Sequence, residues 1–376
     1  VQLLNASPRD QFTEAQVTAL LQSASLQADF GVELLDGNDV VVSDISADVT
    51  GGEVARSNYA VIHGTCKLDI SRALQWGAAR VRPYQTLTGA GITARWRLGV
   101  FILTTPDRPI GETPATYQTV GYDKLYLLNQ VIGDAHTEVA GAVVLDQVKA
   151  VITASGAGGA VLLDSTAATK TLASDIVWTL DEQNQPTWLR VVNDLLATVA
   201  YRGLWVNQDG AFCSGPYAAP ADRPIEAVFS ADDPNLSLVG VGRVQSQDLF
   251  PVPNWWRFIL RGAATAVTEG AGQYTYQTPD ADPSSAVSLG YTKRSVVFLD
   301  AADQASLVAQ GTQIVTNDRQ VRQTLNVTTA PWPGAGHFDV YTYTDAAIGG
   351  SVRVQEASWT MPLNGSDVTH VWEVVS

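Results

Sequence analysis

Apolar positions recur with the period of a helix at the start of the chain and with the period of a strand soon after. Thr13 and Gln16 have capping-box spacing, Phe12 and Val17 stand where a hydrophobic staple closes over the cap, and Val17, Leu20, Leu21 and Ala24 share one stripe. A helix in an N-terminal arm, residues 1–29, is predicted, and its stripe must dock on another element. From Phe30 to about Ile110 the period is two. VELLDGNDVVV reads as a hairpin with DGN at the turn, and DISADV alternates Ile45, Ala47 and Val49 with Asp44, Ser46 and Asp48. RVRPYQTLTGAGITARWRLGVFILTT reads as two long strands about TGAG, with Trp96, Leu98, Val100 and Ile102 on one face. Roughly five or six strands at this spacing predict an antiparallel barrel over residues 30–115.

Residues 116–230 open on the strand-like TYQTV and then turn helical. In VVLDQVKAVITASG, Val144, Val148, Val151 and Ile152 make a face and Gly156 suits a stop. In PTWLRVVNDLLATVAYRG, Pro186 stands near the start, Trp188, Val191, Leu195 and Val199 share a side, and Gly203 ends the pattern. GLWVNQDGAFCSG follows as a hairpin about NQDG, so an α+β module is predicted. Strand signals return over 231–376 in NLSLVGVGRV, NWWRFILRG, HFDVYTYTD, SVRVQEASWTM and THVWEVV. A helix over about 301–317 is inserted there, with Asp300 as its N-cap and Leu307, Gly311, Ile314 and Val315 inward. Val352 and Val354 share a phase that Ala357, Trp359 and Met361 break, which predicts a bulge near Gln355 and Glu356. The fold class is α+β, mainly β, with two antiparallel β-barrels and a helical module between them.

With 376 residues and 45% apolar side chains, the chain can bury a core divided over two or more domains. No apolar run approaches the roughly 18 residues that cross a bilayer, and VQLLNASPRDQF lacks the pattern of a secretion signal, so neither membrane anchor nor export signal is expected. Cys66 and Cys213 are too far apart to staple a domain, and Cys66 alternates with Leu68 and Ile70 as a core residue. A formal net charge of −15 repels nucleic acid.

Candidate chemistry is sparse. His63, His136, His337 and His370 do not stand at metal-ligand spacing, and there is no G-x-S-x-G elbow, P-loop or HExxH. No catalytic residue, cofactor or metal is assigned, and the chain is read as no enzyme. SGAGG at 155–159 follows a helix instead of opening one, so it reads as a linker and not as a phosphate cradle. PDADPSS reads as a solvated loop, and the pairs Asp181 with Glu182 and Asp232 with Asp233 read as solvated caps. Arg80 and Arg82 share a face, as do Arg95 and Arg97, and folding about TGAG sets Arg82 opposite Arg97. Like charges so opposed destabilise a sheet unless an acidic partner arrives. These arginines therefore mark either an interface with another subunit or protein, or a solvated face with local Asp or Glu neighbours.

In GYDKLYLLNQ, Asp123 is placed as an N-cap, while Tyr122, Leu125 and Leu128 line one side of the helix that follows. Folding explains this corner; a catalytic reading of the Tyr–Asp pair needs a base, nucleophile or metal that nothing signals. A strand leading into YDKLYLLNQ, preceded by WRLGVFILTT, resembles the baseplate hub or tail-tip proteins of long-tailed bacteriophages and related injection systems, the family that includes the N-terminal part of tail-associated lysins. TWLRVVNDLLATVAYRGLWVNQDGAF is similar to that family's helix and hairpin, and GHFDVYTYTD with SVRVQEASWTMPL to its closing barrel. The resemblance implies a homotrimer whose chains each supply two tube-type barrels, forming a pseudo-hexameric ring that continues the tail tube and adapts sixfold to threefold symmetry. It implies a virion protein at the tail tip, assembled in the host cytoplasm. Its expected partners are the distal tail or tube protein, the tape measure protein and tail fibre or spike proteins, with DNA only as passing cargo. The chain ends at VWEVVS, so wall cleavage or receptor binding is expected to belong to another protein.

Two rival readings stand beside it. One is a receptor- or carbohydrate-binding β module of a virion, with NWWRF as the sugar platform and Trp255 and Trp256 on opposite faces. The other is a hydrolase with an unrecognised carboxylate site.

Overall fold

Thr13 starts the first helix, α1 (Glu14–Leu21), through a reciprocal cap: its hydroxyl accepts from the Gln16 N–H at 3.3 Å, and Gln16 Oε1 accepts from the Thr13 N–H at 2.8 Å. Val17, Leu20 and Leu21 bury against Leu87, Ala94 and Trp96, with Phe12 beside them. The computed structural model describes residues 12–23, 25–107, 110, 116–172, 174–181, 185–233, 239–240, 242–247, 252–260, 268–299, 304–319, 323–332 and 334–375. Ala24, Glu182, Asp300 and half of NLSLVGVGRV lie outside the described residues. Two compact units form, one of Val1–Arg243 with Asn326–Val375 and one of Val244–Leu325.

The first unit opens with β1 (Gln27–Leu35), β2 (Val41–Asp44), β3 (Val49–Ser57), β4 (Gly64–Ile70), β5 (Arg80–Gly89), β6 (Ile92–Arg97), β7 (Phe101–Leu103) and β8 (Tyr117–Asp123). The alternation of DISADV predicts a strand there, but Ser46–Asp48 is a single 3-10 turn. Side-chain hydrogen bonds win locally: Asp44 Oδ1 accepts from the Ser46 N–H at 2.9 Å, and Ser46 Oγ accepts from the Val32 N–H at 2.9 Å. The β5–β6 hairpin turns on Ala90 and Gly91, both at positive φ (48° and 74°). That two-residue turn pairs Tyr84 with Arg97 and Thr86 with Arg95. Arg82 pairs instead with Glu33 of β1, which corrects the predicted Arg82–Arg97 opposition.

A helical module follows: α2 (Leu125–Leu128), β9 (His136–Glu138), α3 (Val144–Ala154), β10 (Val161–Leu163), β11 (Ile176–Trp178), α4 (Trp188–Thr198), β12 (Trp205–Val206) and β13 (Phe212–Ser214). Val144, Val148, Val151 and Ile152 of α3 share one core with Leu189, Val192, Leu195 and Leu196 of α4, whose N-terminus is capped by Thr187. The NQDG hairpin pairs Val206 with Phe212. β14 (Ala227–Ser230) then leaves the module.

The second unit contains β15 (Val244–Gln247), β16 (Trp255–Leu260), β17 (Thr268–Glu269), β18 (Gly272–Gln277), α5 (Ala286–Leu289), β19 (Arg294–Leu299) and α6 (Gln304–Arg319). Four of its strands form a sheet in the order β17-β18-β16-β19. α6 covers one face of it, with Leu307 and Val315 against Trp256 and Phe258, and Trp256 Nε1 donates to Asp318 Oδ2 at 2.8 Å. Gly311 permits this approach, since a Cβ there would lie 2.7 Å from the Phe258 ring. In PDADPSS, residues 279–281 and 283 are exposed as a solvated loop is, whereas Ser284 and Ser285 are buried and Ser285 caps α5.

The chain closes with β20 (Gln323–Thr329), β21 (Val340–Asp345), β22 (Gly350–Pro362) and β23 (Val368–Val374). β22 shifts register between Glu356 and Ser358, where the sequence phase breaks. The bulge holds Glu356 inside, where it accepts from His370 Nδ1 at 2.8 Å and Trp372 Nε1 at 3.1 Å. Beyond it, β22 pairs with β3 from Ser358–Ser57 to Pro362–Glu53. The strands of the two β segments thus join one largely antiparallel sheet in the order β23-β22-β3-β4-β8-β7-β5-β1-β2. They share a core in which Trp359, Met361 and Val368 meet Val54, Cys66 and Leu68. Among the described residues no strand path closes on itself, and the strands of the first unit form a continuous sheet in which two separate barrels are not distinguished. No described helix is long and apolar enough to cross a membrane.

Gly31 of β1 faces Tyr84 of β5, and a Cβ at Gly31 would lie 2.2 Å from the Tyr84 ring and 2.6 Å from Ser46 Oγ. The tyrosine lies across the glycine, its hydroxyl donating to Asp44 Oδ2 at 2.8 Å. Gly31→Ala is therefore expected to destabilise the chain by about 1–3 kcal/mol in denaturant unfolding. Tyr84→Ala should remove the clash, so that Gly31→Ala costs less in that background; an undiminished cost contradicts this packing.

Candidate functional site

The corner Tyr122–Leu128 is where β8 enters the module. Asp123, predicted as the N-cap, is instead the buried last residue of β8, one before the N-cap Lys124; its Oδ2 accepts from the Gly64 N–H at 2.6 Å and its Oδ1 from the Leu125 N–H at 2.9 Å. Leu125 and Leu128 enter the module core as predicted. Tyr122 does not line their side. It belongs to β8, paired with Thr65 and Ile102, and its ring stacks on Tyr126 with centroids 5.5 Å apart.

The sequence pattern passes over Lys124, which is fully buried. Its Nζ donates to Asp39 Oδ2 at 2.7 Å, and Arg80 Nη1 donates to Asp39 Oδ1 at 2.8 Å. Asp39 stands in the β1–β2 turn at φ 64°, a left-handed conformation that Asp tolerates. Burial lowers the Lys124 pKa and Asp39 opposes that shift. The last glycine of SGAGG makes room: a Cβ at Gly159 would lie 2.1 Å from Lys124 Nζ. SGAGG connects α3 to β10, as the linker reading expects, with Gly156, Gly158 and Gly159 exposed and Ala157 buried.

Two further contacts join the strands to the module. Arg97 donates to Asp209 Oδ1 at 2.7 Å, and Gly210 at φ 83° sits where a Cβ would meet Val100 at 2.8 Å. Arg56 of β3, 6% exposed, donates from Nη2 to the Leu98 carbonyl at 3.0 Å and from Nη1 to His337 Nε2 and the Val206 carbonyl. His337 Nε2 lies against both Arg56 Nη1 and the Val206 carbonyl, the latter 3.1 Å away. Phe338 next to it adopts φ 61°, held where Arg223 donates to its carbonyl and Arg202 stacks 4.9 Å from its ring centroid.

Electrostatics in this cluster follow burial. Desolvation pulls Arg56 down to about 10, against the pull of Asp123 and Asp339. It pushes His63 down to about 4 and His337 well below its usual range, with Arg56 acting in the same direction on both. Burial raises Asp123 to about 6, and burial with the neighbouring Glu226 raises Asp339 to about 7. Among the described residues, no group of three or more His, Cys, Asp or Glu side chains could hold a metal ion.

The four arginines each meet a partner from their own chain. Arg80 pairs with Asp39, Arg82 with Glu33 at 2.7 Å, and Arg97 with Asp209. Arg95 lies 3.7 Å from Glu33 and stacks 3.9 Å from the Tyr84 ring centroid. Each thus has an acidic neighbour within the chain, although Arg80 and Arg82 are largely buried and do not form a solvated face. Of the acidic pairs, Asp232 accepts from the Ala346 N–H, a structural cap.

Asp123 and Asp339 titrate higher in the fold than the ordinary 3.8, so protonation favours the folded state. Their contribution is complete below that value and is lost as pH rises through about 6 and about 7. Between about pH 5 and about pH 8, Asp123→Asn is expected to remove about 1 kcal/mol of the difference in unfolding free energy. An unchanged pH slope in the variant contradicts the assignment.

No family model matches this sequence, and no curated protein matches it. Solved structures do. A tail protein from Neisseria meningitidis is similar over 93% of this chain and 97% of its own, at 13% identity and a TM-score of 0.64. The 43 kDa tail protein of prophage MuSo2 from Shewanella oneidensis is similar over 93% of this chain and 98% of its own, at 11% identity and a TM-score of 0.61. The prophage tail protein gp18 from Listeria monocytogenes is similar over 91% of this chain and 94% of its own, at 9% identity and a TM-score of 0.51. The chain has the fold of these tail proteins.

Proposed function

We propose that the chain is a structural hub of a phage tail tip or baseplate. The observation that carries this reading is the joining of two distant β segments through β3 and β22, with the module docked on the first, in an arrangement shared nearly end to end with tail proteins of similar length. On this reading residues 30–115 and 231–376 contribute two tube-type β domains, residues 116–230 are the helical insert, and residues 1–29 are an arm. Three chains then present six such domains, so that a trimer meets a sixfold tube and adapts it to a threefold tip. The distal tail or tube protein, the tape measure protein and fibre or spike proteins are the neighbours such a ring meets. It is a virion component, assembled in the host cytoplasm. The role asks for no turnover, cofactor or metal.

The net charge of −15 suits a conduit, because a wall that repels phosphate does not hold passing DNA. The carbohydrate platform is less favoured, since Trp256 is buried under α6 and Trp255 is covered by Arg257 and Arg294, 4.8 and 5.1 Å from its ring centroid.

A reconstruction of the assembled particle tests the hub directly. The expected result is three copies around the tail axis, at the junction between the tube and the tip. Copies placed outside the tail, or a single copy on the axis, overturn it.

A further inference from the structure

Arg202, Arg223 and Arg353 come together without an acid. Elsewhere in the first unit Arg80, Arg82, Arg97 and Arg243 each meet a carboxylate at 2.7–2.8 Å. The acceptors around these three are neutral instead. Arg353 donates to the Arg223 carbonyl, Arg223 to the Phe338 carbonyl and Gln355 Oε1, and Arg202 Nη2 to the Ala218 carbonyl at 2.7 Å. None of the three makes an ion pair among the described residues, and the Nε atoms of Arg223 and Arg353 are buried with no hydrogen-bond partner. Arg202 keeps Nη1 as an open donor.

The backbone fixes this arrangement. A bridge joins Tyr201 to Pro216, the Arg202 N–H donates to the Gly215 carbonyl at 2.9 Å, and the Tyr217 N–H donates to the Ala200 carbonyl at 2.9 Å. The Arg202 guanidinium thereby lies 5.5 Å from the Tyr217 ring centroid and 4.9 Å from that of Phe338. Ala200 and Phe338 stand at φ 56° and 61°, two of the four described non-glycine residues at positive φ, and strain of this kind collects at binding sites. Tyr217 is 64% exposed, and its hydroxyl makes no hydrogen bond with the described residues.

Charge selects the ligand. Burial pulls Arg223 down to about 10 and Arg202 acts in the same direction, so the two cations repel each other. Asp339 acts on Arg223 from inside, but its Oδ2 accepts from the Gly336 N–H at 2.7 Å, and burial with Glu226 pushes it up to about 7. An anion from outside the chain meets the need. Nucleic acid brings many charges to a chain of net charge −15, whereas one carboxylate brings a single charge. The exposed Tyr217 ring adds apolar surface beside the guanidinium, which suits an acidic side chain of a polypeptide better than a free ion.

We propose that Arg202, with Arg223 beside it and Tyr217 at its rim, is a receptor for one carboxylate side chain of a partner protein. The carboxylate accepts from Arg202 Nη1 and from the Tyr217 hydroxyl, a neighbouring apolar side chain of the partner lies on the Tyr217 ring, and Arg223 adds positive charge. This inference does not depend on the hub reading.

The test follows the Arg202 Nε–H resonance of the whole chain by NMR, assigned by its loss in Arg202→Lys. Three probes are added in turn: propionate, inorganic phosphate, and a blocked pentapeptide with one glutamate between two leucines. Propionate and the peptide should each shift the resonance saturably, the peptide binding at least about threefold more tightly, and Tyr217→Ala should weaken the peptide at least about threefold. Because Tyr217 is exposed, that variant keeps its fold. Absence of saturation with propionate and peptide, a peptide that Tyr217→Ala leaves unaffected, or an equal shift at Arg72, which is paired with Asp48, overturns the proposal. Phosphate or an oligodeoxythymidine binding more tightly than the peptide also overturns it, because the ligand is then a phosphate. Propionate binding without peptide binding does so too, because the site then takes a small free carboxylate and not a side chain.

Discussion

A lysine with no exposed surface cannot remain charged without a partner, and the first unit is arranged around that constraint. Removing an ammonium from water costs several kcal/mol, and Asp39, shared between Lys124 and Arg80, offsets it. Three stretches distant in sequence become one feature. DGND supplies a carboxylate from a left-handed turn, GYDKLY supplies the cation at the strand-to-helix corner, and SGAGG supplies the one residue small enough to pass Nζ. The strands and the module are thereby held in one relation, to which Arg97–Asp209 and Arg56–Val206 add contacts from β6 and β3.

The same feature shows what was legible in the sequence. Local signals sufficed where the partners are local: the Thr13–Gln16 cap, the α3 and α4 faces, the NQDG hairpin and the phase break in β22 all appear where the pattern places them. Errors arose where a distant residue decides. Sequence spacing alone opposes Arg82 to Arg97, two residues from the observed register, and Glu33, the neighbour of Arg82 and Arg95, comes from β1. Tyr122 was grouped with Leu125 and Leu128 by helical spacing, although the strand persists through Asp123. The sequence does not single out Lys124, Asp39 or Arg56, because nothing local distinguishes a buried charged residue from a solvated one. A lysine followed at once by LYLL, with Leu125 and Leu128 in the core, was the available hint.

The continuous sheet bears on the proposed role. Joining β3 to β22 ties the beginning of the chain to its end, so the module lies between two β segments already fixed to each other. A ring component under load benefits from that closure, since neither segment can swing away without breaking a ladder and the shared core around Trp359 and Met361. The second unit has its own core between α6 and its sheet.

Amide hydrogen exchange on the whole chain carrying Asp39→Asn tests the central claim most directly. If Asp39 unites the strands with the module, protection should fall together in the β1–β2 turn, at the start of α2 and around Gly159, although these regions are far apart in sequence. Loosening confined to the turn, with α2 and Gly159 as protected as before, would contradict the account.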